Sequence, residues 1–334
     1  MTISMFGEFR ADNGLGAANR EVFKSLRKHH DVRHSYAASI TARTREIFSL
    51  VFHCDVLVIC WVTFSDRLAV WLAKREKKKI IYLMHGLPSM EKTIDDPKIS
   101  KAELNRTCRF ERFLMENADR VICVSEKFMD TVKQRFPSCA EKTDFIYNAV
   151  DLDRCETVCA ESSGRVPGSV LSTGGGKRQK NIKFIASALE EDGAGFVLHV
   201  AGPEDTEGAA IRRHTHVIWH GIIPHDDLLR LMAETSVYVQ NSTFESFGIS
   251  VIEALFCGCS TLISENTGCL SLFSTLREED IIRNTEDTEE IGRKIRYLTE
   301  HPNNARLKEG FAREFVGAAW QAAKLEEILK GMET

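Results

Sequence analysis

The sequence lacks the segments that place a protein in a membrane or send it out of the cell. None of its apolar runs approaches the roughly 20 residues that a helix needs to cross a bilayer. The stretch from Met1 to Phe9 has neither the basic start nor the cleavage site of a signal peptide. We therefore expect a cytoplasmic protein, either free or peripheral on the inner face of the membrane.

Motifs for metal and cofactor binding are also missing. The ten cysteines contain no C-x-x-C pair, and Cys257-Gly258-Cys259 alone offers too few ligands for zinc. Reduced thiols in the core are the better interpretation of cysteines that are scattered through apolar segments. No D-x-D pair falls in a loop suited to a metal ion. We expect neither a metal nor a cofactor.

Charge is uneven along the chain. Residues 1–150 contain 25 Lys and Arg against 19 Asp and Glu, a net charge of +6, whereas residues 151–334 contain 19 against 29, a net charge of −10. The basic first half favours an anionic partner or surface. No basic stripe is interleaved with aromatic residues, which counts against nucleic acid as the partner.

At 334 residues the chain is long enough for two domains, each with its own core. Predicted strands alternate with predicted helices, and this alternation restarts after Asp151, which favours two doubly wound parallel sheets. We predict an α/β protein with Rossmann-like domains at residues 1–150 and 151–315, joined where the apolar periodicity lapses, at residues 150–168. The predicted strands are 2–6, 55–61, 79–84, 120–124, 144–146, 170–173, 196–201, 216–219, 237–239 and 260–263, and the clearest helices are 17–29, 66–77, 102–117 and 315–332.

Two glutamates eight positions apart, Glu245 and Glu253, mark the most informative stretch. The apolar spacing from Ile249 onward predicts a buried helix, and Val237-Tyr238-Val239 before it predicts a short strand. Glu245 then falls in the loop, Glu253 lies about a turn and a half inside the helix, and Gly248 stands near the helix start. A glycine there would let a ligand approach the backbone, and the unpaired N–H groups of the first turn favour a phosphate.

Carboxylates beside a phosphate suit a ligand that is part phosphate and part polyol. A sugar nucleotide is such a ligand, because its diphosphate would lie at the helix N-terminus while the carboxylates accept hydrogen bonds from hydroxyl groups. A buried helix with two incidental glutamates is the alternative. The spacing alone does not decide between the two.

Loops that follow predicted strands carry further candidates, because ligands of such sheets bind at the carboxyl ends of the strands. Gly14 and Gly16 precede the first helix and would let a ligand approach the backbone, although a tight turn explains them equally well. Asn19 stands where a dinucleotide fingerprint needs a third glycine, which counts against an NAD enzyme. His85 directly follows the strand 79–84, where it could bind a sugar hydroxyl, help to neutralise a leaving phosphate or be purely structural.

The loop after the first strand of the second domain is rich in glycine and cations. Gly174 begins a run of three glycines, and Lys177, Arg178 and Lys180 follow. The glycines free the backbone to approach a ligand, and three cations in four positions supply charge for a diphosphate. A flexible surface loop with solvated charges is the alternative.

The central stretch also resembles a known family. Phe244-Glu245-Ser246-Phe247-Gly248, continued by Glu253-Ala254-Leu255 and Cys257-Gly258, looks like the E-x7-E signature of the retaining glycosyltransferases of family 4. These enzymes have the GT-B fold, in which two Rossmann-like domains face a central cleft. The resemblance covers nearly the whole chain and is strongest from 170 to 270. It implies a sugar-nucleotide donor on the second domain and an acceptor on the basic first domain, with the last helix packed back on that first domain.

The resemblance assigns a role to each candidate residue. Glu253 would bind the ribose hydroxyls and Glu245 the transferred sugar, with the backbone of Phe247-Gly248-Ile249 against the donor. His85 would face the donor sugar across the cleft, and Gly14-Leu15-Gly16 would form the family's glycine-rich first loop.

The loop at 174–181 matches the family's phosphate loop in part. Lys180-Asn181 corresponds to the family's lysine, which holds the leaving diphosphate together with an arginine. The arginine position is Gly175 in this sequence, so either Lys177 or Arg178 replaces its charge or part of the phosphate grip is missing. These cations and the helix N-termini would remove the need for a metal.

The resulting hypothesis is a retaining, metal-independent glycosyltransferase. It would move a sugar from a UDP- or GDP-sugar to a glycan or lipid-linked acceptor, in cell-surface polysaccharide synthesis. A nucleotide-sugar epimerase or hydrolase on the same fold stays open, and so does a catalytically weak partner subunit, which the missing arginine makes conceivable.

An anionic membrane surface is a further expected partner. Cations and apolar residues alternate in two segments of the first domain, and an amphipathic helix with a cationic face would lie in the membrane interface. Packing of the apolar face on the sheet is the alternative, with the lysines complementing a helix dipole. The segments contain Arg43, Arg45, Ile47, Phe48, Leu50, Val51 and Phe52, and then Leu68, Val70, Trp71, Leu72, Lys74, Arg75, Lys77, Lys78 and Lys79.

Overall fold

The computed structural model describes residues 1–10, 14–36, 39–60, 66–193 and 195–332. Within these ranges the strands are β1 (Thr2–Phe6), β2 (Asp31–His34), β3 (Val56–Ile59), β4 (Lys79–Met84), β5 (Arg120–Cys123), β6 (Thr143–Phe145), β7 (Val166–Thr173), β8 (Val197–Ala201), β9 (Val217–Gly221), β10 (Thr235–Gln240), β11 (Ser260–Ser264) and β12 (Ile281–Ile282). The α-helices are α1 (Gly14–Arg27), α2 (Ile40–Phe52), α3 (Asp66–Arg75), α4 (Pro88–Asp95), α5 (Lys101–Asn117), α6 (Glu126–Arg135), α7 (Leu152–Glu161), α8 (Ile182–Asp192), α9 (Gly208–Ile211), α10 (His225–Glu234), α11 (Ile249–Phe256), α12 (Thr288–Glu300), α13 (Asn304–Glu309) and α14 (Ala318–Lys330).

The first compact unit comprises residues 1–90, 99–149 and 313–334. Its described strands form a parallel sheet in the order β2-β1-β3-β4-β5-β6, with a core that includes Ile3, Val58 and Ile122. Helix α14 packs against α1, where Leu325 and Leu329 join that core. The last helix therefore completes a core that is otherwise built from the first half of the chain.

The second compact unit comprises residues 91–98 and 150–312. Its described strands form a parallel sheet in the order β12-β11-β10-β7-β8-β9. The central strands are apolar and buried, and their core includes Val170, Leu198 and Val237. A parallel sheet that is covered on both faces requires such continuous apolar strands. The predicted α/β fold with two doubly wound parallel sheets is confirmed.

Two elements differ from the sequence prediction. Residues 152–161 form helix α7, which begins at an Asp151 cap and packs on α10 and α11, whereas the sequence predicted an irregular junction there. Helix α1 begins at Gly14 rather than near Ala17, so both glycines of the predicted loop lie in its first turn. In addition, residues 91–98 group with the second unit, although the sequence placed them within a continuous first domain.

None of the helices within the described ranges is both long and apolar enough to span a bilayer.

Candidate active site

The two glutamates of the central stretch flank the start of α11. Strand β10 ends at Gln240, Glu245 lies in the following loop, and Glu253 lies in the second turn of α11. Gly248 precedes the helix with a left-handed backbone, φ 98°, and a Cβ there would lie 2.7 Å from Cγ2 of Thr267. The left-handed backbone and the close contact with Thr267 therefore both require a glycine at position 248. The sequence had suggested a different reason, the approach of a ligand to the backbone.

Lys180 and Glu245 form an ion pair at this point. Nζ of Lys180 lies 2.5 Å from Oε2 of Glu245, and their side chains are 20% and 16% exposed. The same Oε2 accepts a hydrogen bond from Nε2 of Gln240 at 2.9 Å. The structure thus brings together two residues that the sequence predicted separately, on loops 65 positions apart.

Gln240 is a site residue that the sequence analysis missed. The hydroxyl of Tyr238 donates to Oε1 of Gln240 at 2.9 Å and lies 2.7 Å from the hydroxyl of Thr173. Burial raises the pKa of Tyr238, so its phenol stays protonated and can donate. With its oxygen occupied, the Gln240 amide directs its NH₂ toward Glu245 and Ser242. A polar residue at the carboxyl end of a central strand was the available signal.

Glu253 is buried and has a histidine partner. It belongs to the buried face of α11, and its Oε1 lies 2.7 Å from Nε2 of His225, the exposed first residue of α10. One carboxylate oxygen of Glu253 therefore meets a neighbouring helix, and the binding of ribose hydroxyls by Glu253 stays a prediction. His225 was not predicted from the sequence as a site residue; it directly follows Pro224, which caps α10.

The three glycines at 174–176 pack against the loop that follows β8. A Cβ on Gly175 would lie 2.0 Å from the carbonyl oxygen of Pro203, and one on Gly176 would lie 1.7 Å from that of Glu204. The amides of all three glycines donate to Ala201 and Pro203. A Cβ on Gly174 would meet the stem of Lys180 at 2.7 Å. The glycines thus permit backbone contact and lysine packing, and their amides are already engaged, contrary to the predicted free approach of a ligand.

The three cations of the loop have different surroundings. Lys180 meets Glu245, while Arg178 lies 3.5 Å from the buried carboxylate of Glu207, which also binds Lys183 at 2.7 Å. Lys177 is exposed, and none of the carboxylates in the described parts of the chain pairs with it. Lys177 is therefore the cation of this loop that can turn toward a ligand without giving up a partner.

The remaining candidates belong to the first unit. His85 follows β4, and burial lowers its pKa to about 4, so its imidazole is neutral at pH 7. A neutral ring can donate a hydrogen bond to a hydroxyl, but it brings no positive charge to a leaving phosphate. Gly16 is buried in α1, whereas Gly14 is exposed with open space around its Cβ position. Asn13, which precedes these glycines in the predicted loop, lies outside the described residues.

Two family models match this chain. Glycosyl transferases group 1 matches residues 167–312, and Glycosyltransferase Family 4 matches residues 10–154. Together the two matches cover most of the sequence, and each falls almost entirely within one compact unit.

Curated relatives are distant and longer. A *Campylobacter jejuni* N,N'-diacetylbacillosaminyl-diphospho-undecaprenol alpha-1,3-N-acetylgalactosaminyltransferase is 23% identical over 54% of this chain and 45% of its own length. The serotype-specific mannosyltransferase WbdA of *Escherichia coli* is 24% identical over 64% of this chain and 28% of its own. The chain thus spans less than half the length of these relatives.

Solved structures share the fold over its whole length. Sucrose-phosphate synthase from *Thermosynechococcus elongatus* has a TM-score of 0.76 at 18% identity, covering 99% of both chains. HepE from *Anabaena*, solved with UDP and glucose, has a TM-score of 0.73 at 14% identity, covering 99% of both chains. The family matches mark residues 10–154 and 167–312 as glycosyltransferase domains, and together with the two parallel sheets and the solved structures they support a GT-B glycosyltransferase.

Proposed function

We propose that the protein is a retaining glycosyltransferase that transfers a sugar from a nucleoside-diphosphate sugar to a glycan or lipid-linked acceptor in cell-surface polysaccharide synthesis. The pairing of Lys180 with Glu245 beside the start of α11 carries this proposal. A sugar nucleotide needs a cation for its diphosphate next to a carboxylate for its sugar hydroxyls, and this pair would supply both. The transferase names of the distant relatives agree with it.

The second unit would hold the donor. Glu253 binds the ribose hydroxyls with the carboxylate oxygen that His225 leaves free, and Glu245 binds the transferred sugar. The backbone of Phe247-Gly248-Ile249 lies against the donor, since the Phe247 side chain itself is buried. Lys180 turns from Glu245 toward the diphosphate as charge develops on the leaving group.

Retention would follow front-face attack by the acceptor hydroxyl. The leaving phosphate takes the acceptor proton, so the new glycosidic bond forms on the side from which the diphosphate departs. Lys180, Lys177 and the N-terminus of α11 stabilise the departing charge, which gives the site a metal-independent means of doing so. His85, neutral at pH 7, would donate a hydrogen bond to a sugar hydroxyl.

A catalytically weak partner subunit is the second candidate, and Gly175 favours it. The family's arginine position has φ 62° here, and the backbone of residues 202–203 fills the space where a side chain would begin. No arginine can stand there without moving that backbone. Full turnover by the isolated chain would exclude this candidate.

A thermal-shift screen tests the proposed donor. UDP, GDP, ADP and their sugar conjugates are compared, and one base should stabilise the protein selectively. A ligand at about 100 times its Kd contributes about 2.7 kcal/mol, which corresponds to a rise in Tm of roughly 5 to 10 °C. Glu253→Ala should remove most of that rise. Absence of any shift with all three nucleotides would contradict the donor assignment.

Turnover assays separate the reaction classes. Donor consumption should require a sugar acceptor, retain the anomeric configuration and continue in excess EDTA. Consumption of donor alone at a faster rate than with acceptor would identify an epimerase or hydrolase instead.

We further propose that helices α2 and α3 dock on an anionic membrane. The two helices pack together, and Phe48, Phe52 and Trp71 are 42%, 47% and 55% exposed. Ile47, Leu50, Val51, Val70 and Leu72 are buried, so only part of the apolar set predicted for docking is available. The guanidinium of Arg75 lies 5.8 Å from the Trp71 ring centroid. Exposed aromatic rings beside cations suit the headgroup region of a bilayer.

Liposome co-sedimentation should show binding to anionic but not to neutral vesicles. Changing Lys77, Lys78 and Lys79 to Gln should weaken it, because each cation near anionic lipid contributes roughly 1 kcal/mol. Trp71→Ala should weaken it independently of salt, whereas added salt should weaken the wild type. The same charge change at Lys98, Lys101 and Lys127 is the control. Equal pelleting with both kinds of vesicle would remove the electrostatic argument.

A further inference from the structure

Gln179 connects the two loops that carry the ion pair. It lies between Arg178 and Lys180, and its carbonyl accepts from the amide of Thr243 at 2.9 Å. Its side-chain Nε2 donates to the carbonyl of Phe244 at 2.6 Å. Both contacts fall on the two residues directly before Glu245.

The contacts form a short ladder between residues 179–181 and 243–245. Gln179 binds Thr243 and Phe244, the next residue Lys180 binds Glu245, and Nδ2 of Asn181 binds Oγ1 of Thr243 at 2.7 Å. A shift of Gln179 would therefore move Lys180 relative to Glu245. Both Gln179 contacts lie within two residues before the ion pair on their loops, so they position the backbone from which Lys180 and Glu245 project.

A third contact comes from a distant part of the sequence. The amide of Gln179 donates to Oδ1 of Asp95 at 2.9 Å, and Asp95 is the last residue of α4. Residues 91–98 group with the second unit, so this carboxylate is part of the same compact body as the loop. A hydrogen bond to an ionised carboxylate is roughly twice as strong as a neutral one. Three hydrogen-bonding groups of Gln179 are thus held by two segments, the carbonyl and the side-chain amide by residues 243–244 and the backbone amide by Asp95.

We propose that Gln179 is a positioning residue that sets the Lys180–Glu245 pair, and that Asp95 holds Gln179 in place. The proposal rests on the donor site described above and adds two residues that no motif marks. Neither touches the reacting atoms. They act by fixing the backbone from which the cation and the carboxylate project, and a displacement of about 1 Å at such groups can lower a rate about a hundredfold.

Kinetics of the full-length protein test the role in turnover. Gln179→Ala should lower kcat by about tenfold to a hundredfold, with a smaller change in the donor KM, since the geometry of the pair is disturbed rather than the nucleotide contacts. Asp95→Ala should act in the same direction, and Asp95→Asn, which keeps an acceptor oxygen, should recover part of the loss. Gln134→Ala and Asp96→Ala, at exposed positions, are matched controls.

A second measurement does not depend on the proposed reaction. Hydrogen exchange followed by mass spectrometry should show a protected Gln179 amide in the wild type and faster exchange in Asp95→Ala. Amine labelling of Lys180 should increase in both Gln179→Ala and Asp95→Ala. If wild type binds no nucleotide but these changes occur, the donor assignment fails and the positioning role stands.

Two outcomes would overturn the positioning role. One is unchanged exchange and labelling in both variants. The other is tighter binding of UDP or GDP by Asp95→Ala, because Asp95 would then be a competing anion on the loop amide rather than a support for it.

Discussion

Glu245→Gln should lower kcat/KM by about a hundredfold while the protein keeps its fold. Gln preserves the size of the side chain and can still accept from Lys180 and Gln240, so the local hydrogen bonds survive. What it loses is the charge that strengthens a hydrogen bond to the sugar and the attraction to Lys180. Hydrogen bonds to charged groups contribute about 1.5–3 kcal/mol, which corresponds to a factor of roughly ten to a hundred or more.

Glu245→Ala should have a larger effect on turnover and a measurable effect on stability. It leaves the partly buried Lys180 without its carboxylate and the Gln240 amide without one acceptor, at a cost of about 1–3 kcal/mol. Comparing the two variants therefore separates loss of charge from loss of local structure.

Turnover, circular dichroism and Tm should be measured together on each variant. Glu234→Gln, at the exposed end of α10, is the matched control. Near-normal turnover of both Glu245 variants would mean that the central stretch is a structural helix with incidental glutamates.

The fold could be predicted because its signals are local. Strand β4 is found at Lys79–Met84 as predicted, since a short apolar run that follows three lysines and ends before His85 and Gly86 leaves little choice of element. Helix α7 was not predicted because its buried face is only three residues, Leu152, Cys155 and Val158, set among charged and polar residues. A cysteine packs as a small apolar residue.

The candidate site was harder to predict from the sequence, because most of the contacts that define it join residues that are remote in sequence. The sequence marked Glu245, Glu253 and Lys180, but it did not show that His225 contacts Glu253, that Lys180 pairs with Glu245 or that Asp95 binds the amide of Gln179. The same holds for Gly175 and Gly176, whose need for glycine comes from residues 202–204. A run of glycines indicates that something approaches the backbone closely, but it does not indicate whether that is a ligand or another loop.

Substitution of Lys180, in the loop at 174–181, is expected to have the second large effect on turnover. Lys180→Ala should lower kcat by about a hundredfold or more, since removing one group that stabilises a developing anion typically costs that much. Lys177→Ala should cost less than tenfold, because Lys177 is exposed and has other cations nearby. Arg178→Ala should also cost little in turnover, because Arg178 is held by Glu207, and Lys183 remains beside that carboxylate.

Lys180→Met tests the charge itself. The Lys180 stem packs against Gly174, where an added Cβ would lie 2.7 Å from Cγ, and Met preserves most of that contact. If Met rescues stability but not turnover, the ammonium group is what the reaction needs. Because Lys180 also pairs with Glu245, Lys180→Met combined with Glu245→Gln should lose far less than the product of the two single effects, as residues that act as a unit do. Equal and negligible losses for all three cations would mean that helix N-termini alone hold the diphosphate.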